Sequence, residues 1–338
     1  MSRVTLRKIQ LVGGATLTVS LPKEWVRRLG LGAGDLVEVS LEPDGSLKIF
    51  PHERVERKSD CVIDISEGAS KGTVIRELMS KYLIGYNTII IKFPYRSSEY
   101  RKDLRKIISD KLIGVEVIDE SSDRLTIQVL VNVKELPVNA SLQRMAHVAS
   151  GMLKDGLTGL LTNDRQVLED VLDRDNVVDK LYLYTLRQIN AVIRGYLKIQ
   201  DIGLGGIGET LEYGIVAKSI ERVADHAQRI AFNVIKIIDY GNSIDSDVVD
   251  ALRDYDNVVN DIFMSSVNSF IRRNRKKAHE LLDNTPSLIS QIENKVSKVA
   301  SKVQRDVALY FHLRMIMDSM RRVTDYSMDI SEATIDLS

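Results

Sequence analysis

Three pairs of acidic residues in the second half of the chain have the spacing of metal ligands on helices. The two members of each pair are four residues apart, so on a helix their side chains share one face. Like charges at that spacing destabilise a helix by roughly 0.2–0.5 kcal/mol unless something compensates. Carboxylates that converge from adjacent helices of a bundle are the usual ligands for a hard or borderline cation. The pairs are Asp175 and Asp179, Glu221 and Asp225, and Asp325 and Asp329.

Salt bridges are the alternative interpretation of these carboxylates. The chain has 28% charged residues, so some acidic pairs at this spacing occur by chance. Arg222, Arg229, Arg321 and Arg322 lie close to the pairs in sequence and could neutralise them without a metal. On spacing alone, salt bridging is favoured over a bound divalent metal.

Basic residues at the start of the chain have the chemistry of a DNA contact. Residues 1–30 hold six basic residues against one acidic residue, a net charge of +5, whereas residues 31–50 have a net charge of −3. Phosphate neutralisation is the usual source of affinity for DNA, and arginine also reads base edges. A solvated face is the alternative. The six are Arg3, Arg7, Lys8, Lys23, Arg27 and Arg28.

The composition of the whole chain narrows the class of protein. Its 338 residues suit two or three domains, and its formal net charge is zero, so any nucleic-acid signal must be local. Cys61 is the one cysteine, which excludes an intrachain disulfide. Residues 1–30 show no apolar signal-peptide core, and no stretch has the roughly 18 apolar residues of a membrane span. We therefore expect a cytoplasmic protein.

No arrangement of residues indicates an enzyme. The chain has five histidines and one cysteine, without a nucleophile and base at a recognisable spacing. Gly203, Gly205 and Gly208 match the dinucleotide-binding fingerprint only formally, because they lie between two predicted helices rather than after a strand. We expect a non-catalytic protein with a loop at these glycines.

The elements that must position these residues fall into three regions. Residues 1–51 read as short strands with turns at Gly13-Gly14 and Pro43-Asp44-Gly45, and a short helix opens at Pro22. Residues 52–137 have the order β-α-β-α-β-β of a small α/β domain. A unit of about 50 residues with this little helix buries little apolar surface alone, so we expect the first region to form a homodimer.

Long amphipathic runs over residues 141–334 predict six helices with short connections. Their bounds are approximately 141–162, 165–200, 209–239, 245–273, 277–304 and 305–332, and Pro286 should kink or break the fifth. Glu221-Arg222-Val-Ala-Asp225 in the third helix is echoed by Arg321-Arg322-Val-Thr-Asp325 in the sixth. Two repeats of three helices are therefore predicted.

The first region resembles the AbrB/SpoVT (MazE-like) swapped-hairpin DNA-binding domain. The resemblance rests on residues 16–25, TLTVSLPKEW, and 29–39, LGLGAGDLVEV, and covers about residues 3–51. In that family two hairpins interlace across a dimer, and basic residues of the first hairpin contact DNA. The resemblance implies these contacts for Arg3, Arg7 and Lys8, and extends them to Lys23, Arg27 and Arg28. Some members bind a partner protein instead.

The helical region resembles PhoU, the phosphate-uptake regulator. The stretch 218–231, KSIERVADHAQRIA, is similar to the signature of the third helix, and 321–330, RRVTDYSMDI, is similar to its second copy. The resemblance implies metal ligation by Glu221, Asp225 and Asp325, with an iron or zinc cluster as the metal group. The sequence departs from the family at Arg321, where a carboxylate is expected, and at Arg229.

Together these features predict a dimeric transcriptional regulator of multidomain fold. It has a swapped-hairpin β domain, a small α/β domain and an all-α pair of three-helix bundles, and double-stranded DNA as a partner. A link to phosphate homeostasis follows from the PhoU resemblance, with a phosphate transporter or signalling protein as a further partner. The alternative is a phosphate-signalling adaptor that binds a transporter or kinase and uses the N-terminal module only to dimerise.

Overall fold

The computed structural model describes residues 5–41, 45–52, 60–65, 69–94, 98–241 and 244–337. The chain divides into two compact units, residues 1–58 and 59–338. We refer to these as unit 1 and unit 2. Arg3, Val4 and the Pro43-Asp44 part of the predicted turn lie outside the described residues.

Unit 1 consists of two separate hairpins and one short helix. Strands β1 (Gln10–Val12) and β2 (Thr16–Thr18) form the first hairpin, and β3 (Val37–Leu41) and β4 (Leu47–Pro51) form the second. Gly13 and Gly14 both have positive φ, which the tight turn of the first hairpin requires. Helix α1 (Lys23–Arg28) follows Pro22 as predicted. The described residues of the two hairpins share no strand pairing.

The first part of unit 2 is a four-stranded sheet with two helices. Its elements are β5 (Asp60–Asp64), α2 (Lys71–Ile84), β6 (Thr88–Lys92), α3 (Ser98–Lys111), β7 (Val115–Glu120) and β8 (Arg124–Val129). This is the predicted order. The strands lie in the order β5-β6-β8-β7, with β5 parallel to β6 and the other two pairings antiparallel. Apolar residues of both helices, such as Leu78 and Leu104, cover Ile89 and Ile127 of the sheet.

Six long helices make up the rest of the described residues of unit 2. They are α4 (Val138–Thr162), α5 (Arg165–Ile193), α6 (Thr210–Asp239), α7 (Ser246–Ile271), α8 (Arg275–Ala300) and α9 (Val307–Asp336). Helices α4–α6 pack together as one three-helix bundle and α7–α9 as a second. The bundles join through α6 against α9 and α4 against α7, around one shared apolar core. The predicted paired layout of three helices is confirmed.

Two details of the predicted helices are wrong. Helix α5 ends at Ile193 rather than at residue 200, because the chain turns at Gly195 with φ of 74° and then forms a 3-10 turn at Ile199–Ile202. Helix α8 continues through Pro286, so of the predicted kink or break the break does not occur. Thr285, next to this proline, is buried, so packing of α8 against the bundle keeps the helix continuous despite the missing hydrogen bond.

The glycine-rich segment between α5 and α6 is a connection, as predicted. Gly203 has φ of 81°, and a 3-10 turn at Ile207–Glu209 leads into α6. The described helices contain no stretch long and apolar enough to cross a membrane.

Candidate functional site

Four of the predicted metal-ligating carboxylates come together between α5 and α6. Asp175 and Asp179 lie on α5, and Glu221 and Asp225 lie on α6. Gln228 of α6 donates a hydrogen bond from Nε2 to Asp175 Oδ2 over 3.1 Å, which ties the two helices together here. We call these four residues the first carboxylate set.

Three of the four carboxylates in this set are paired with a cationic side chain. Lys218 Nζ lies 2.6 Å from Glu221 Oε1, and Arg222 Nη1 lies 3.0 Å from Asp225 Oδ2. Lys111 at the end of α3 donates to Asp179 Oδ2 over 2.8 Å. The lysines and the arginine therefore neutralise most of the negative charge without a metal.

Asp175 is the least compensated member of the first carboxylate set. Burial, with the negative charges of Asp179 and Asp225, raises the pKa of Asp175 to about 6. Its Oδ1 is buried and has no hydrogen-bond partner. Burial also raises the pKa of Glu221 and of Asp225, against the opposing effect of the neighbouring Lys218 and Arg222. The carboxylates of the set therefore lie close to one another, and Asp175 can take up a proton near pH 6.

The corresponding place in the second bundle is built differently. Arg321, the counterpart of Glu221, forms an ion pair with Glu293 of α8 over 3.0 Å. Glu293 also accepts a hydrogen bond from the Tyr255 hydroxyl over 3.1 Å. Asp325 is half exposed and lies 3.6 Å from Arg322. A guanidinium where a ligand carboxylate is needed does not fit a metal centre, because it repels the cation.

Asp329 does not join a metal-binding group either. Burial and the charges of Glu332 and Asp325 raise the pKa of Asp329. Across the described residues, no three histidine, cysteine, aspartate or glutamate side chains are grouped so that they could hold a metal ion. Salt bridging, the alternative that spacing favoured, accounts for the contacts of the first carboxylate set, and metal binding there stays a prediction.

The two histidines on α6 and α9 pack between helices. His226 lies against Tyr326 with ring centroids 5.8 Å apart, and burial lowers the pKa of His226 to about 4. These two residues directly follow Asp225 and Asp325, so the sequence echo places them against each other at the α6–α9 contact. His312 Nδ1 lies 2.9 Å from Asn233 Oδ1. Each histidine thus contacts a side chain of the facing helix.

Arg229 does not belong to the carboxylate set. Its guanidinium lies 3.8 Å from Asp318 and 3.2 Å from Met315 Sδ, both on α9. This contact joins the two bundles, and it explains a basic residue at this position.

Three contributors to the first carboxylate set escaped the sequence analysis. Lys111 reaches Asp179 from 68 residues away in the chain, so no local pattern points to it. Gln228 lies one turn after Asp225 and is an uncharged amide without a recognisable signal. Lys218 precedes Glu221 by three residues, a spacing that does predict an ion pair.

The predicted DNA-contacting residues within the described part of unit 1 are all exposed. Arg7 and Lys8 precede β1, Lys23, Arg27 and Arg28 lie on α1, and all five side chains are solvent-exposed. None of them forms an ion pair with a described residue of unit 1. A set of unpaired cations on a small unit is free to neutralise phosphates.

Unit 1 buries no apolar side chain among its described residues. Leu11 is 64% exposed and Leu17 is 68% exposed, on facing strands of the first hairpin. Leu41 and Leu47 of the second hairpin are 74% and 62% exposed. Hairpins with apolar faces open to water need a second surface to cover them.

Comparison with known proteins identifies both units. The family model of the PhoU domain matches residues 142–234, which span α4–α6. The model for antidote-toxin recognition MazE, a bacterial antitoxin, matches residues 10–57. The chain therefore has a PhoU-like domain in unit 2 and a MazE-like domain in unit 1.

Curated PhoU relatives match the chain at low to moderate identity. A phosphate-specific transport system accessory protein PhoU homolog from Clostridium acetobutylicum is 22% identical over 201 residues, 59% of this chain and 89% of the relative. The homolog from Caulobacter vibrioides is 35% identical over 91 residues, 27% of this chain and 36% of the relative.

Solved PhoU structures share the helical fold. PhoU from Pseudomonas aeruginosa superposes with a TM-score of 0.51 at 15% identity, covering 61% of this chain and 97% of that protein. The phosphate transport system regulatory protein PhoU from Streptococcus pneumoniae gives 0.50 at 15% identity, covering 61% and 94%. The shared length exceeds residues 142–234, so the likeness in fold extends beyond the part that the family model matches.

Proposed function

We propose that this PhoU-family protein is a DNA-binding transcriptional regulator linked to phosphate uptake or homeostasis. One observation carries the proposal: a MazE-like unit with five exposed, unpaired basic side chains belongs to the same chain as a PhoU fold. The relatives are named as accessory proteins of phosphate-specific transport systems, which supports the link to phosphate. The proposed role is regulatory rather than catalytic, and its place is the cytoplasm, where the DNA is.

In this proposal unit 1 acts as a homodimer. Two copies cover the exposed apolar faces of the hairpins and double the basic surface. A two-fold protein then contacts a two-fold DNA site, with Arg7, Lys8 and the α1 residues Lys23, Arg27 and Arg28 against phosphates and base edges. Arg3 belongs to the proposed set by sequence alone. No step of the proposal depends on a metal.

The first experiment maps DNA occupancy of the full chain in cells grown in high and low phosphate. We expect enrichment of discrete sites, with occupancy that changes with phosphate. Uniform background in both conditions would contradict both parts of the proposal.

The second experiment measures the salt dependence of binding to an enriched fragment by fluorescence anisotropy. The double variant Arg7→Ala, Lys8→Ala should bind more weakly, and its log–log salt slope should fall by about 1.8 if each residue contacts one phosphate. Lys48→Ala is the matched control, because Lys48 is an exposed basic residue on the second hairpin. Wild-type affinity in the double variant would exclude a DNA contact at these residues.

A phosphate-signalling adaptor is the second candidate, with unit 1 used only to dimerise. An exposed aromatic surface on unit 2 favours it: Phe232 of α6 and Phe311 of α9 are 50% and 54% exposed, next to the hydrogen-bonded Asn233 and His312. Such surfaces often bind partner proteins. Pull-down of a transporter component that Phe232→Ser with Phe311→Ser abolishes, without DNA enrichment, would favour this candidate.

A further inference from the structure

A cavity of about 190 Å³ lies where the α/β part of unit 2 meets helix α5. Gly85 and Asn87 line it after α2, and the segment after β8 lines it up to Val133. Arg187 and Gln188 of α5 form the opposite wall. The volume is below the roughly 300–1,000 Å³ of pockets for drug-sized ligands, so the cavity suits a small ligand.

Arg187 is a buried cation without a counter-ion among the described residues. Its side chain is 5% exposed. Nη1 donates to the Tyr82 carbonyl oxygen over 2.7 Å and Nη2 donates to Asn87 Oδ1 over 2.8 Å, and both acceptors are neutral. The guanidinium carbon lies 5.0 Å from the centre of the Tyr82 ring. No described carboxylate forms an ion pair with Arg187.

A buried charge is costly unless an opposite charge compensates it. Burial lowers the pKa of Arg187, as expected for a guanidinium that has lost water without gaining an anion. The neighbouring phenols of Tyr82 and Tyr184 have pKa values raised by burial to about 12, so neither supplies a negative charge. Most other described arginines of unit 2 that contact a polar side chain form an ion pair with a carboxylate, as Arg101 and Arg273 do. Arg187 therefore has the chemistry of an anion-binding residue.

Gln188 adds an unused acceptor to the same wall. It is fully buried, and its Nε2 donates to the Leu136 carbonyl oxygen over 3.2 Å. Its Oε1 is buried and has no hydrogen-bond partner. A buried acceptor without a donor is also costly, and a ligand that carries an O–H would satisfy it. Arg187 thus places a positive charge in the cavity wall, and the neighbouring Gln188 adds a hydrogen-bond acceptor without a donor among the described residues.

We propose that this cavity binds a small oxyanion that keeps one O–H group, of which hydrogen phosphate is the simplest example. The anion charge compensates Arg187, and its O–H donates to Gln188 Oε1. The proposal goes beyond the proposed function and does not depend on DNA binding by unit 1.

The position of the cavity would make the ligand a link between parts of unit 2. Arg187 and Gln188 are on α5, and the same helix carries Asp175 and Asp179 of the first carboxylate set. Lys111 of the α/β part already reaches that set. A bound anion would therefore strengthen the contact between the α/β part and α5 at a second point.

The test is calorimetric titration of the full chain with inorganic phosphate at pH 7.5, with sulfate and chloride as comparison anions. Phosphate should bind saturably and raise the melting temperature. Sulfate has no O–H at this pH and should bind at least about tenfold more weakly. Equal affinity for sulfate and phosphate, or no saturable binding of phosphate, would overturn the proposal.

Variants locate the site. Gln188→Glu keeps the shape but brings a carboxylate beside Arg187, so phosphate affinity should fall by at least about tenfold. Asn190→Asp is the matched control, since it makes the same amide-to-carboxylate change two residues away on α5 at a residue that does not line the cavity. Far-UV circular dichroism checks that both variants fold. Unchanged phosphate affinity in a folded Gln188→Glu variant would place the anion elsewhere.

Discussion

Glu221 and Arg321 stand at equivalent positions of the two bundles, yet their charges are opposite. In the first bundle Glu221 meets Lys218 and lies among other carboxylates. In the second bundle Arg321 takes the place of the carboxylate and Glu293 of α8 becomes its partner. The counterpart of Glu221 in the second bundle is therefore a cation with a carboxylate partner.

Asp256 on α7 offers a residue-scale prediction about pH. Its side chain is 4% exposed, and burial raises its pKa to about 7, while the charge of Lys154 on α4 acts in the opposite direction. Its Oδ1 has no partner, and neither has the Oδ1 of Asn260 one turn further along. An aspartate in an unfolded chain titrates near 3.9. The folded state thus binds more protons between about pH 4 and 7, and stability falls as the pH rises through this range.

The variant Asp256→Asn should remove this loss of stability. We expect it to be more stable than the wild type at pH 8, by at most about 4 kcal/mol, and to approach the wild type near pH 4. Urea unfolding followed by far-UV circular dichroism at both pH values measures the difference. Asp250→Asn is the control, since Asp250 is exposed and paired with Arg253. Parallel pH profiles for the wild type and Asp256→Asn would contradict the assignment.

At the scale of secondary-structure elements, the C-terminal end of α2 packs closely against α5. Gly85 ends α2 with φ of 104°, a conformation that favours glycine. A Cβ atom at Gly85 would lie 2.9 Å from Cβ of Ala191, a buried residue of α5. Glycine at this position therefore permits both the left-handed backbone conformation and the close packing of α2 against α5.

Gly85→Ala should destabilise the protein by about 1–3 kcal/mol, through the backbone conformation and the clash together. Gly195→Ala is the matched control, because Gly195 has φ of 74° but nothing within 4 Å of an added Cβ. The difference between the two variants in melting temperature isolates the helix contact. Equal decreases in melting temperature for the two variants would contradict a close contact between α2 and α5 at Gly85.

At the scale of the whole molecule, the two units differ in how they are stabilised. Unit 2 has its own apolar cores, whereas unit 1 exposes its apolar residues. The free energy of folding of unit 1 should therefore depend on association with another copy, and thus on protein concentration.

The variant Leu17→Asp should shift the full chain from dimer to monomer in analytical ultracentrifugation, because a charge on the covered face of the hairpin is costly to bury. Ile193→Asp is the control, because Ile193 is an apolar residue of unit 2 that is 54% exposed. A wild-type chain that is monomeric at all concentrations would contradict the proposed dimer.

Local sequence patterns were enough to predict most secondary-structure elements of this protein and their order. The periods of apolar residues predicted the β-α-β-α-β-β order and six helices, since each period depends only on neighbouring residues. Gly13-Gly14 and Pro22 predicted a turn and a helix start for the same reason. The echo between residues 221–225 and 321–325 indicated the paired bundles, and the two resemblances agree with the family models that match residues 142–234 and 10–57.

Only the tertiary structure decided which side chains meet. Lys111 and Asp179 are far apart in sequence, as are Arg321 and Glu293, so their ion pairs depend on how helices pack. Packing also kept α8 continuous at Pro286, and it enclosed Arg187 without an acidic partner. Metal binding by the first carboxylate set stays a prediction. The cation that pairs with Asp179 comes from a distant part of the chain, because charge compensation acts through space and not along the chain.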